Sequence, residues 1–557
     1  MYERYESSRA PHWAALGAIL AAGIMLRSFR LDWGLPKFVF FDSMVFYAMP
    51  AQRLLNEGAW RAVSFVHPPA TGSALALVAL TWAALRGIPA TMLTIPQLEL
   101  LGRVMTVTFS TASIVVLHAL TRRLVGSRAA LLAAAAFALS PVHVLEAHRT
   151  NSDAPMLLLT LIAIHQATIA RDAASTGRLA AAFTFAGAAA AVKYSGLAAV
   201  TVPAWVALTW PESSLRRRVV LLATGGTVAL LALIVGVSPL LAQRDELFAT
   251  IEKIRVVGMS MGQPGHDLRG QGWVYTRYVY ALVAALPYML GWSVYIAALA
   301  GLYLLRHEQR ARGPVFAFVA PFFLFQGAAE TVVPRYYLPL APLLCLAAGL
   351  ALDHLWQRLG VRGALVAVAV LSYTLAFTAS LCLRIPGPAN AVGAALRAEI
   401  ARATAAGRPL VLAYENELRR AYDPLSPVFV GRRAVRVVPL PDDASSKPAQ
   451  EAIDGFRSWL DSKHIDAVLL TEWRAGIARR EGRTAELAVI AALRGGRLGF
   501  RRTAEARSGY FTESLYTWAD PSFATDVASG IIDHELFVRD TAPTGPPPAE
   551  GEVPAMP

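Results

Sequence analysis

Long apolar runs recur through the first 383 residues, and this pattern constrains the fold more than any other feature. Each run is about 17–25 residues long, the length that an α-helix needs to cross a bilayer. Of the 557 residues, 55% are hydrophobic and 16% are charged, whereas soluble domains usually contain about 25% charged residues. The pattern therefore predicts a polytopic α-helical membrane protein.

The positive charge is distributed as membrane proteins distribute it. The formal net charge of +13 would also suit nucleic-acid binding. Much of the arginine, however, lies in short clusters between apolar runs, which is typical of cytoplasmic loops. We therefore predict membrane lipids as partners and no nucleic acid.

Five arginine-rich clusters are predicted to face the cytoplasm. They occupy residues 121–128, 170–178, 211–218, 306–313 and 356–363. Because consecutive clusters share one side, each stretch between two clusters must cross the membrane twice. Each stretch indeed has a polar break near its middle: HVLEAHRTNSDAP, VKYSG, roughly 242–277, and AETVVPRYY. We expect these breaks to face the opposite, outer side.

The N-terminal part is less regular. The run after MYERYESSRAPHW is not followed by a small-residue cleavage site, so it predicts an uncleaved signal anchor. One further span is best placed at 98–120. Residues 71–86 are then not counted as a membrane span, and we interpret them as an interfacial or re-entrant helix. The total is about eleven transmembrane helices, an odd number, which places the chain after residue 383 outside the cytoplasm.

The composition changes at Arg384. Strand-like runs at 409–415, 434–440 and 465–473 alternate with amphipathic helical patterns at 448–463 and 483–496. We predict a transmembrane domain at 1–383, an extracytoplasmic soluble α/β domain at 384–540, and a disordered Pro-rich tail at 541–557. The α/β domain carries no catalytic motif, which favours a packing or acceptor-positioning role.

Acids, bases and cations collect in the predicted outer loops, although charge at membrane depth is costly and usually lines a pathway or a site. In chain order the candidates are Asp42, Glu57, His67, His143, Glu146, His148, Arg149, Asp153, Lys193, Tyr194, Glu252, Lys253, Arg255, His266, Asp267, Arg269, Glu330, Arg335, Tyr336 and Tyr337.

Single residues in this set also have structural interpretations. Asp42, in FVFFDSMVFYA, suits the N-cap of a helix starting at Ser43. His67 precedes two prolines and suits a turn. Lys193 suits a side chain that extends to the headgroups, and Arg335 beside two tyrosines suits an interface anchor. A functional assignment therefore depends on the combination and order of these motifs.

That order resembles a known family. FDSMVFYAMPAQRLLNEG, HPP, SPVHVLEAHRTNSDAP, VKYSG and PRYYLPLAPLLCLAAG resemble segments of the dolichyl-phosphate-mannose protein mannosyltransferase and aminoarabinose transferase group, which are GT-C fold glycosyltransferases. The resemblance covers about residues 12–383. It implies a GT-C type membrane enzyme that transfers a sugar, with inversion, from a polyprenyl-phosphate donor to a lipid, glycan or protein acceptor at the outer face.

The resemblance also implies roles for individual residues. Asp42 takes the place of the general base, and its aromatic neighbours would raise its proton affinity by desolvation. Asp153 is the second acid of the pocket, and His67 shapes the acceptor side. Lys193 and Arg335 would hold the lipid-linked phosphate, beside Tyr336, since fixed cations stabilise a phosphate leaving group.

One position departs from the family pattern. The group often has Glu after the first-loop Asp, whereas Ser43 follows Asp42 here. The missing carboxylate weighs against a family-like metal site, so we assign no metal residue. No cofactor is certain, and a divalent metal stays open as a cofactor.

Two other functions remain alternatives from the sequence. A transporter or flippase for a lipid-linked sugar would also place charge at membrane depth, and a noncatalytic scaffold would display the C-terminal domain. The Ala- and Arg-rich composition indicates a GC-rich bacterium and hence the bacterial inner membrane.

Overall fold

The structure is a computed structural model that describes residues 9–33, 35, 43–58, 67–211, 213–241, 277–328, 334–383, 389–414, 434–441, 448–471, 474, 478, 483–506 and 534–539. The chain divides into two compact units, Met1–Leu383 and Arg384–Pro557. The predicted tail at 541–557 lies outside the described residues.

The first unit is built from helices. Its α-helices are α1 (Arg9–Ser28), α2 (Met49–Glu57), α3 (Ala70–Arg86), α4 (Ile95–Val125), α5 (Ser127–Ala138), α6 (Pro141–Glu146), α7 (Asp153–Asp172), α8 (Thr176–Val192), α9 (Thr201–Leu208), α10 (Leu215–Leu241), α11 (Arg277–Tyr280), α12 (Leu286–Leu290), α13 (Trp292–Leu304), α14 (Gln309–Ala328), α15 (Ala341–Leu359) and α16 (Val361–Leu383). Tighter 3₁₀ turns occupy Ala90–Met92, Tyr194–Val200, Leu305–His307 and Pro334–Leu340, and wider π turns occupy Met44–Ala48 and Ala281–Ala285.

Among the described residues, six helices are long and apolar enough to cross a membrane. They are Ala10–Ser28, Ile95–Val125, Asp153–Asp172, Leu215–Ser238, Pro334–Leu359 and Val361–Leu383. A bent pair, Ala281–Leu290 with Trp292–His307, would make a seventh. Shorter apolar helices lie at Ala70–Arg86, Ser127–Ala138, Thr176–Val192 and Tyr194–Leu208. The chain is thus an integral membrane protein, and the count of about eleven spans stays a prediction.

Two polar breaks fall where the sequence predicts them, and the predicted break at roughly 242–277 lies outside the described residues except for its last position. Helix α7 begins at Asp153 after an irregular stretch, and α8 ends at Val192 immediately before Lys193. One further break is not apparent from hydropathy. At Gly291 the chain bends by 113°, and Gly291 has φ +80°, a conformation that glycine adopts without strain.

Helix α15 is largely buried within the membrane unit, and small residues allow its close packing. A Cβ on Gly301 would lie 1.8 Å from the carbonyl oxygen of Ala347, and one on Gly349 would lie 2.5 Å from that of Ala129. Helices α13 and α5 therefore approach α15 backbone to backbone. This is how helices associate in lipid, where no hydrophobic force drives them together.

The second unit contains a five-stranded sheet. Its strands are β1 (Leu410–Tyr414), β2 (Val435–Pro439), β3 (Ala467–Thr471), β4 (Phe500–Ala506) and β5 (His534–Arg539), in the order β2-β1-β3-β5-β4. β1 is parallel to β2 and β3, whereas β5 is antiparallel to β3 and β4. The first three strands coincide with the predicted ones, and β4 and β5 were not predicted.

Helices cover both faces of this sheet. Alternate residues of β1 point to opposite faces, and each set packs against different helices. Val411 and Ala413 pack with α18 (Ala449–Ser462) and α19 (Thr484–Arg494), the two predicted helices. Leu410 and Leu412 pack instead against α17 (Ala389–Ala405). The unit is the small α/β fold that the sequence predicts.

Candidate active site

The carboxylate of Asp153 lies at the start of α7, and the preceding loop fixes it there. The side-chain oxygen of Asn151 accepts hydrogen bonds from the backbone nitrogens of Asp153 (3.0 Å) and Ala154 (3.2 Å). It thereby satisfies two of the amides that every helix leaves free at its first turn. The helix dipole also favours a negative charge at this end.

Lys193 meets this carboxylate from the next break. It follows α8 in an extended conformation, with φ −152° and ψ 131°, so its side chain leaves the helical path. Its Nζ lies 2.6 Å from Oδ1 of Asp153, and the side chains are 16% and 7% exposed respectively. Lys193 is therefore paired inside the unit rather than extended to the headgroups.

A third break contributes an aromatic ring and a second cation. The Nζ of Lys193 lies 5.4 Å from the ring centroid of Tyr336, and the Cζ of Arg335 lies 5.5 Å from it. Both distances are within the range of cation–π attraction. We call Asp153, Lys193, Arg335 and Tyr336 the Tyr336 cluster. It contains two cations and one acid, a balance that favours an anionic ligand.

The first predicted outer loop packs against the second. The Ser43 hydroxyl donates to the carbonyl oxygen of Thr150 (2.9 Å), and the Tyr47 hydroxyl donates to Oγ of Ser152 (3.0 Å). The His67 ring lies 5.8 Å from that of Tyr47, centroid to centroid. Of the predicted site residues, His67 is therefore on the first-loop side and is not part of the Tyr336 cluster.

Several predicted residues lie outside the described part of the chain. These are Asp42, Glu252, Lys253, Arg255, His266, Asp267, Arg269 and Glu330. Asp42 is nevertheless bonded to Ser43, whose hydroxyl contacts Thr150 three positions before Asp153. The catalytic assignment of Asp42 stays a prediction.

The remaining charges of the second loop are internally compensated. Arg149 forms an ion pair with Glu146, with Nε 2.7 Å from Oε2. The Asn151 amide also donates to the backbone oxygen of Glu146. These contacts order the loop that carries Asp153.

Both second-loop histidines are engaged in packing. Nδ1 of His143 accepts a hydrogen bond from Nη2 of Arg27 (2.8 Å), Nε2 lies 2.9 Å from Oγ of Ser110, and the ring stacks on Phe137. His148 contacts the carbonyl oxygens of Val144 and Phe29. Burial lowers the pKa of His148 to about 4, so it is neutral at pH 7.

The described residues do not fit a family-like metal site. Ser43 stands where the related group often has a carboxylate, and its hydroxyl is bonded to Thr150. The carboxylate of Asp153 is paired with Lys193. Within the described ranges, no group of three or more His, Cys, Asp or Glu side chains is placed to hold an ion.

Comparisons with known proteins agree with the motif order. Residues 91–239 match the family dolichyl-phosphate-mannose-protein mannosyltransferase. The chain is a GT-C fold membrane glycosyltransferase. The family match supports the activity class, and the structural likeness shows the fold. The resemblance found in the motif order is therefore confirmed.

Two solved structures show the fold of this glycosyltransferase. One is ArnT from Cupriavidus metallidurans bound to undecaprenyl phosphate, with TM-score 0.50, 16% identity, and coverage of 96% of this chain and 100% of that chain. The other is the Archaeoglobus fulgidus oligosaccharyltransferase tethered with an acceptor peptide, with TM-score 0.50, 11% identity, and coverage of 93% and 78%. No curated protein matches the sequence.

Proposed function

We propose that this glycosyltransferase moves a sugar, with inversion, from a polyprenyl-phosphate donor to a lipid, glycan or protein acceptor at the outer face of the bacterial inner membrane. The observation that carries the proposal is the Tyr336 cluster, because it gathers two cations and an acid from three separate breaks. Further support comes from the similar ArnT structure, which is bound to undecaprenyl phosphate.

The two cations act on the donor phosphate. Arg335 can grip a phosphate through two parallel hydrogen bonds, whereas Lys193 acts as a point charge. As the bond between the sugar carbon and the phosphate oxygen breaks, its electron pair moves onto the phosphate. Fixed cations stabilise this developing charge without having to reorganise.

The two acids, Asp42 and Asp153, have different roles in the proposed reaction. With a hydroxyl acceptor, Asp42 takes the proton as the acceptor oxygen bonds to the sugar carbon, opposite the departing phosphate. Asp153 is ion-paired with Lys193, so it serves to orient that cation rather than to take a proton. His67 shapes the acceptor side of the first loop.

The proposal also includes sidedness. The breaks that supply Lys193 and Arg335 are the predicted outer ones, and the residue that follows Asp42 contacts the loop before Asp153. All three therefore need to face one aqueous compartment, together with the predicted extracytoplasmic domain at 384–540. Reporter fusions that place residues 42 and 335 on different sides would contradict the proposal.

The deciding experiment measures sugar transfer from lipid-linked donor in membranes containing Asp42→Asn. We expect the rate to fall by about 10³-fold, the usual contribution of a general base. The matched control is Glu57→Gln, because Glu57 is an exposed acid of the same loop. Full activity of Asp42→Asn would refute the mechanism, and transport of a lipid-linked sugar without any transfer product would favour the flippase alternative.

Donor and acceptor are best identified by mass spectrometry of envelope lipids and glycans from a deletion strain. We expect a glycolipid, glycan or glycoprotein to lose one sugar and the polyprenyl-phosphate sugar to accumulate. Loss of the modified product in a strain carrying Asp42→Asn would link the change to the proposed base.

A further inference from the structure

Helix α4 contains a buried ion pair that the proposed mechanism does not use. Glu99 and Arg103 are four residues apart, so their side chains share one face of the helix. Nε of Arg103 lies 2.8 Å from Oε1 of Glu99, and both side chains are fully buried. A buried ion pair gives little net stability compared with apolar packing of the same volume, so stability alone does not explain why this pair is present.

Arg103 holds the chain that leaves α1. Its Nη1 donates to the carbonyl oxygens of Leu31 (2.9 Å) and Trp33 (2.7 Å). These two residues immediately precede the segment 34–42, which ends at Asp42. A single guanidinium therefore holds the two residues that lead into this segment.

Glu99 is connected through Thr150 to Ser43, the residue that follows this segment. The backbone nitrogen of Thr150 donates to Oε1 of Glu99 (3.4 Å), and its hydroxyl donates to the backbone oxygen of Glu99 (3.2 Å). The carbonyl oxygen of Thr150 in turn accepts from Ser43 (2.9 Å), the first residue after the segment.

Gly102 allows the Thr150 side chain to approach helix α4 closely. A Cβ at position 102 would lie 2.2 Å from Oγ1 and 2.6 Å from Cγ2 of Thr150, so any larger residue would displace the Thr150 side chain. The run LELLGRV thus places the carboxylate of Glu99, the space left by Gly102 and the guanidinium of Arg103 within about one turn of the helix.

We infer that Glu99 and Arg103 are positioning residues: together they hold residues 31 and 33 and, through Thr150, Ser43, which follows Asp42 in the chain, against α4 beside the loop that bears Asp153. We call these contacts the clamp. This inference rests on the proposed function, because it assigns Asp42 the role of base. Geometry of this kind matters greatly, since a displacement of about 1 Å can cost about 100-fold in rate.

Two variants loosen the clamp in different ways. Arg103→Lys keeps the charge beside Glu99 but lacks the planar fork that reaches two carbonyl oxygens. Gly102→Ala keeps both charges and pushes Thr150 aside. Each has a matched control far from the clamp. Arg128→Lys alters the ion pair with Asp353, and Gly313→Ala brings a Cβ to 2.1 Å from the Trp205 side chain.

The first readout is hydrogen exchange of the full-length protein in detergent. We expect amides of residues 43–58 to exchange at least about tenfold faster in both clamp variants and to be unchanged in both controls. Unchanged exchange in the clamp variants would overturn the inference. An equal rise throughout the unit would also overturn it, because that result indicates general destabilisation.

The second readout is sugar transfer. We expect kcat to fall about tenfold in both clamp variants while KM for the donor stays within about twofold, because the phosphate-binding cations are untouched. Unchanged kcat despite faster exchange of residues 43–58 would overturn the positioning role. Asp42→Asn, measured in parallel, separates the two proposals: its full activity would refute the base but leave the exchange result to decide the clamp.

Discussion

Two buried acids of the C-terminal unit, Asp466 and Glu535, meet arginines whose side chains are partly exposed, whereas two ion pairs of the membrane unit, Lys193–Asp153 and Arg103–Glu99, have both partners largely buried. Asp466 pairs with Arg408, and Glu535 pairs with Arg494, at 2.6 Å in each case. These arginine side chains are 28% and 31% exposed. Lys193 is only 16% exposed, and Arg103 is fully buried.

The difference indicates what each set of charges does. A partly exposed arginine keeps part of its hydration, so its pairing costs little desolvation and is modestly stabilising. Within membrane-spanning helices, each buried charge must be compensated by a partner or removed. The membrane unit retains such charges where they join separate breaks, at the Tyr336 cluster and at the Glu99–Arg103 pair. We therefore expect Asp466 and Glu535 to serve stability, and Asp153 and Glu99 to hold loops in place.

Within this comparison, the largest expected effect concerns Lys193. Lys193→Met leaves Asp153 buried without its bonded cation, so we expect the free energy of unfolding to fall by about 3 kcal/mol and transfer to fall by about 100-fold. The double variant Lys193→Met with Asp153→Asn should recover most of the stability but not the transfer. Thermal unfolding and donor kinetics measure the two quantities. Recovery of transfer in the double variant would show a purely structural pair, and the contrast with the sheet would be lost.

Asp466 tests the other side of the comparison. Its Oδ2 accepts from the backbone nitrogen of Val411 (2.8 Å) and from Arg408 (2.6 Å). We expect Asp466→Asn to lower the free energy of unfolding of the C-terminal unit by about 1–2 kcal/mol, with transfer within about twofold of wild type. Hydrogen exchange of β1 and β3 in the full chain measures the stability. A large loss of transfer would mean that this unit takes part in the reaction.

This contribution should not vary over the usual pH range. The hydrogen bond with Asp466 raises the pKa of Arg408 above its already high ordinary value. A cation with a raised pKa in the folded state stabilises fully below its unfolded pKa and loses this contribution only as pH rises past the folded value.

The smallest expected effect concerns Tyr336. If its ring serves as a face for Lys193 and Arg335, Tyr336→Phe should keep KM for the donor within about twofold. Tyr336→Ala should raise it about fivefold, since a cation–π contact contributes about 1 kcal/mol. Steady-state kinetics with the lipid-linked donor distinguish the two variants. An equal rise in KM for both variants would instead assign the role of Tyr336 to its hydroxyl group.

Sequence patterns predicted much of this arrangement. The polar breaks containing Asp153, Lys193 and Arg335 were placed from hydropathy and arginine clusters, and the Tyr336 cluster brings these three together. The capping role of Asn151 and the Glu99–Arg103 pair were missed. Glu and Arg four residues apart inside the predicted span 98–120 were the available signal, because charge within a span needs a partner.

The sequence by itself determined that this chain is a helical membrane protein with a small α/β unit after residue 383, because partitioning into lipid and local periodicity depend on neighbouring residues. The tertiary structure alone decided which acid meets which cation. Lys193 and Asp153 are 40 residues apart, and their contact depends on how α7 and α8 pack and on the extended backbone at Lys193. Such contacts are set by the packing of whole helices and are not written in any local pattern.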